Sequence, residues 1–191
     1  RDEHSIEFPA VYLKHRFGDT PFTIVPILCG GFHALVDAGR MPREDEAFEG
    51  LLNAVRDTAR ARGGATVYLA GVDLSHMGPR FGDPRIEEGA KSEIERIDRL
   101  AVDAALTGDA DAWFASIASH GDATRICGFA PVYAMLRCAE PGAGHLLRYT
   151  LRTDVFLAQV RTPVLLLHGE RDSLIPPAHS RTLAALGPNI V

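Results

Sequence analysis

Thr66-Val67-Tyr68-Leu69-Ala70-Gly71, followed by Val72-Asp73-Leu74-Ser75-His76, is the stretch on which the reading of this chain turns. A run of apolar and β-branched residues stopped by glycine predicts a buried strand. Asp73, Ser75 and His76 then fall at its carboxyl end, where open α/β sheets bind their ligands. Working outward, residues 22–29 (FTIVPILC) have the same character and end at Gly30-Gly31, which predicts a second strand; residues 144–151 predict a third. Helices alternate with them. Residues 46–62 carry Phe48, Leu51, Leu52 and Val55 at helical spacing. Glu44, Asp45 and Glu46 crowd the start and Arg60 and Arg62 the end, which suits the helix dipole. Further helices are predicted over residues 5–16, 86–106 and 110–119 and from Pro131 to 138. The alternation predicts an α/β fold, a mostly parallel or mixed sheet between two layers of helices.

The bulk properties narrow the function classes. The chain has 191 residues, 46% of them hydrophobic and 24% charged, ordinary for one globular α/β domain. A net charge of −5 argues against nucleic acid or an anionic membrane as partner, since both reward a basic surface. No apolar run approaches the roughly 20 residues that span a bilayer. Three cysteines, Cys29, Cys127 and Cys138, are too few for a disulfide framework and suit a reducing, cytoplasmic setting. The first residue is Arg1, so the chain is expected to start inside a domain, with the self-association that an opened core invites.

Two residues carry the chemical signal by themselves. His76, three residues after Asp73, suits a general acid or base with a carboxylate beside it; the plainer reading is a capped loop histidine. Cys127, in the loop of residues 121–128, suits a thiolate metal ligand, and a thiol favours iron, copper or zinc over magnesium. Its plainer reading is a small buried hydrophobe.

Four segments together resemble the Memo family, also called AmmeMemoRadiSam system protein B. They are Glu3-His4-Ser5-Ile6-Glu7; Ile24-Val25-Pro26-Ile27-Leu28; residues 71–83, GVDLSHMGPRFGD; and Arg125-Ile126-Cys127-Gly128 with Pro131 beyond. The resemblance runs over residues 1–152. It implies a fold similar to the class III extradiol dioxygenases, three layers (αβα) with a metal-type pocket at the strand ends. It places Asp73 and His76 as reacting groups, His76 and Cys127 as metal ligands, and His4 at the bound cofactor. Oxygen or redox chemistry would follow, on an unidentified small molecule or peptide; a non-catalytic binding role is the alternative. The family's Pro-His-Ala-Gly and Gly-Pro-Ser-His motifs do not occur in the chain, so the resemblance lacks the family's N-terminal part.

Residues 153–191 read differently. Residues 160–188 resemble the late strand and helix of an α/β-hydrolase, in which Asp172 would be the triad acid. A triad also needs a nucleophile and a base, and no Gly-x-Ser-x-Gly elbow occurs. Hydrolase chemistry is therefore not expected. An inactive truncated or chimeric chain is the third reading.

Overall fold

A computed structural model describes residues 5–149, the side chain of Arg80 excepted. Contacts divide the chain into Arg1–Leu146 and Leu147–Val191, and the first unit carries everything below. Its helices are α1 (Glu7–Phe17), α2 (His33–Asp37), α3 (Glu46–Arg62), α4 (Glu88–Leu106), α5 (Ala110–Ala118) and α6 (Phe129–Ala139), with short 3₁₀ turns at Pro42–Glu44 and Pro79–Phe81.

The boundaries have local causes. The Asp45 carboxylate accepts from the backbone N–H groups of Ala47 and Phe48, both at 3.0 Å, which starts α3. Asp109 does the same for α5 through Asp111 and Ala112. Gly63, at φ 69°, ends α3.

Helix α5 packs between α4 and α6, and α6 packs on α3. The shared core holds Ile97 and Ala101 of α4, Trp113, Phe114 and Ile117 of α5, and Phe129, Tyr133 and Leu136 of α6. Phe32, one residue before α2, enters it as a wedge. Its ring meets those of Phe48, Phe114, Phe129 and Tyr133 edge-on, with centroids 5.3–5.6 Å away, a favoured aromatic geometry. Among the polar atoms at this core, Trp113 Nε1 donates to the Phe129 carbonyl at 2.8 Å. Tyr133 donates to Asp111 Oδ1 at 3.0 Å, and burial, together with that carboxylate, pushes its phenol well above the usual range. Arg137 on α6 pairs with Glu49 on α3 at 2.7 Å.

The expected sheet is absent. Among the described residues there is no β-strand, so the three-layer αβα architecture and its likeness to the extradiol dioxygenases give way to helix on helix. Residues 21–31 and 64–72 are non-helical, yet they make no backbone hydrogen bond to another described backbone group. They are also not buried as predicted: Val25 is 75% exposed, Leu28 69% and Val67 83%. Residues 144–149 are likewise irregular. A run of β-branched side chains favours extended backbone, but a strand exists only beside a second one about 4.8 Å away. Composition cannot supply that neighbour. The five longer helices hold because each carries its own hydrogen bonds.

Candidate functional site

Two irregular segments meet at the edge of this core. The first, residues 72–83, precedes α4; the second, residues 119–128, joins α5 to α6. Apolar residues root both: Leu74 packs against the core and Ile126 is 2% exposed within it. Beside them, Asp73, Arg125 and Cys127 are exposed. The second segment is tightly wound, with Asp122 and Arg125 at φ 49° and 55°. Asp122 accepts from the Ile126 N–H at 2.8 Å, an interaction that favours such a turn. The segments are stitched by His76 N–H to the Thr124 carbonyl (2.8 Å) and Gly128 N–H to the Asp73 carbonyl (3.0 Å). Gly128 is required by this approach, since a Cβ there would lie 2.9 Å from Val72 Cγ2 and 3.0 Å from the Asp73 carbonyl oxygen.

The close approach brings together three of the four residues expected from sequence. The Asp73 backbone N–H donates to Cys127 Sγ at 3.1 Å. His76 Nδ1 lies 2.9 Å from the Leu74 carbonyl oxygen. A carbonyl can only accept, so Nδ1 carries the hydrogen and the lone pair of the neutral ring sits on Nε2. Nε2 is 3.8 Å from Asp73 Oδ2. The ligand atoms of Asp73, His76 and Cys127 all lie within 4.8 Å of one another. The Asp73 side chain is 83% exposed and that of His76 23%. Cys127 is exposed, which overturns its reading as a buried hydrophobe. The fourth residue, His4, lies outside the described residues, as do Asp172 and the tail.

Several contacts that hold this site escaped the sequence reading. Ser75 Oγ donates to Asp98 Oδ1 at 2.6 Å and its N–H does so at 3.2 Å. Asp98 was legible in principle, as the one charged residue on the buried stripe Ile94, Ile97, Asp98 and Ala101 of α4. The Arg125 guanidinium donates to the His76 carbonyl at 2.7 Å and also binds Asp83. Asp83 accepts from the Gly78 N–H at 2.8 Å, closing the 78–83 loop, in which Gly78 has φ 107°.

The Arg125 hydrogen bond, then the Gly78 N–H, holds the Asp83 carboxyl below its ordinary 3.8. A carboxylate depressed in the folded state stabilises the loop above its unfolded value, and that support is lost as pH falls through the folded value. The Asp83 carboxyl ¹³C shift should therefore titrate with a midpoint below 3.8. Arg125→Ala should move the midpoint up; equal midpoints would dismiss the latch.

The family described as Memo-like protein matches residues 1–161, and the chain belongs to it. A MEMO1 family protein of Thermus thermophilus is 30% identical over 151 residues, 79% of this chain and 40% of its own length. A MEMO1 family protein of Aquifex aeolicus is 28% identical over 101 residues, 53% of this chain and 23% of its own. The chain thus spans less than half the length of these relatives. No solved structure matches it. Among the described residues no helix is long and apolar enough to cross a membrane.

Proposed function

We propose that this Memo-like protein binds a transition metal ion through Asp73, His76 and Cys127 and serves metal-dependent or redox chemistry on a small molecule or peptide. The observation that carries the reading is the convergence of one carboxylate, one imidazole and one thiol within 4.8 Å. An ion with bonds of about 2.0–2.3 Å holds neighbouring ligands roughly 3–4 Å apart, so the set needs little rearrangement to close on one. Mixed oxygen, nitrogen and sulfur donors suit iron, copper or zinc and not magnesium. Three protein ligands leave a position open for substrate or water, as in catalytic and not structural sites.

The bound ion would supply Lewis acidity or an electron. The chain's own residues do the rest. His76 presents Nε2 because Nδ1 is engaged by Leu74. Asp73 would offer the ion one carboxylate oxygen from the solvent side, which leaves its second oxygen to orient an incoming ligand or accept its proton. Cys127 is held against the Asp73 backbone.

A thermal melt with and without Fe(II), Cu(II) or Zn(II), beside Cys127→Ala, tests this. Metal that binds only the native state must stabilise it, by about 2.7 kcal/mol at a hundredfold excess over the dissociation constant. A cooperative transition raised by metal in the parent and not in the variant is expected. A parent indifferent to all three ions removes the proposal.

A further inference from the structure

We infer that Asp98 is a positioning residue for His76, acting through Ser75 from the buried face of α4. The inference rests on the reading of His76 as a site residue.

Three observations carry it. First, Asp98 is 3% exposed, on a helix face otherwise made of Ile94, Ile97 and Ala101. A carboxylate at such a position is costly unless it is hydrogen-bonded, and a residue serving only the packing would be apolar. Second, its Oδ1 takes both donors of Ser75, hydroxyl at 2.6 Å and N–H at 3.2 Å. Charge-assisted bonds of this kind are about twice as strong as neutral ones, and two donors on one oxygen leave residue 75 little rotational freedom.

Third, Ser75 stands between the two residues that set the imidazole. Leu74 supplies the carbonyl that holds Nδ1 at 2.9 Å, and His76 follows. Beyond His76 the chain is gripped again, its N–H by Thr124 and its carbonyl by Arg125, while the Phe81 ring lies edge-on at 4.7 Å. The Nδ1–Leu74 bond spans only two residues and depends on the backbone between them. Asp98 holds that backbone from α4, an element that Thr124 and Arg125 do not belong to. Without it the Leu74 carbonyl can turn away, and the ring loses the bond that leaves the lone pair on Nε2. Outer partners that orient a ligating imidazole are worth roughly 10–100-fold in metal affinity.

The test needs no turnover. Long-range ¹H–¹⁵N spectra of the metal-free protein report the His76 tautomer, and a Co(II) titration reports affinity. The wild type should show the Nδ1–H form. Ser75→Ala, which deletes one surface-proximal oxygen, and Asp98→Asn, which keeps the volume but not the charge, should both give mixed tautomers at His76. Their Co(II) affinity should fall roughly 10–100-fold, with far-UV circular dichroism unchanged. Ser75→Thr keeps the hydroxyl and should restore both readouts. Folded Ser75→Ala and Asp98→Asn proteins with the wild-type tautomer would overturn the inference. A wild type that ignores Co(II), while the variants still scramble the tautomer, would remove the metal reading and leave Asp98 as the positioning residue.

Discussion

Phe32→Ala should lower the free energy of unfolding by roughly 3–5 kcal/mol, the range for deleting a buried phenyl ring. The residue is 5% exposed, and its ring touches Phe48 of α3, Phe114 of α5 and both Phe129 and Tyr133 of α6. Its aromatic contacts join all three helices, so its removal opens a void that no single helix shift can close. Against a total stability of about 5–15 kcal/mol, the loss should be plain in urea denaturation as a lower midpoint at unchanged slope. Phe8→Ala is the control. Phe8 is 49% exposed on α1, and its removal should stay within about 0.5 kcal/mol. Equal losses for the two would mean that the aromatic wedge does not organise the core.

His76→Ala should weaken metal binding more than Asp73→Ala does, roughly 100-fold or more against roughly tenfold. The physical difference is pre-organisation. The His76 backbone is held on both sides and its ring by Leu74 and Phe81, so its donor needs little ordering on binding. The Asp73 side chain is 83% exposed; its rotamer freedom must be lost, and a water can replace it. The dissociation constants of parent and variants, from isothermal titration with Zn(II), decide the matter. Equal losses would place the carboxylate on the metal as firmly as the imidazole, and an unaffected His76→Ala would remove His76 from the ligand set.

The part of this site that was legible in sequence is the part written in residue type. Asp73 and His76 are three residues apart in a polar segment after an apolar run, and Cys127 sits between Ile126 and Gly128. Those are chemical facts that need no fold. Their meeting across 54 residues was implied by family resemblance alone. The residues that hold them in place left weaker traces. Asp98 broke an apolar stripe, whereas Arg125 and Asp83 looked like any exposed charged pair until the turn at 122–125 brought them together.

The same division runs through the fold. Helices α3, α4, α5 and α6 could be read because their determinants are local: apolar residues at helical spacing, Asp45 and Asp109 as caps, Gly63 as a stop. Residues 22–29 and 66–71 could not, because a strand is a property of two segments and their sequence describes only one. Their apolar content promised burial, yet Val25, Leu28 and Val67 stand exposed. The sequence by itself determined where the backbone coils and which side chains have the donor atoms that the proposed site needs, since helical hydrogen bonds and side-chain chemistry are local. Only the tertiary structure decided that α3, α5 and α6 close around Phe32, and that residues 119–128 lie against residues 72–76. Those contacts depend on the shapes of distant surfaces, and Gly128, which lets the two backbones touch, has meaning only once they do.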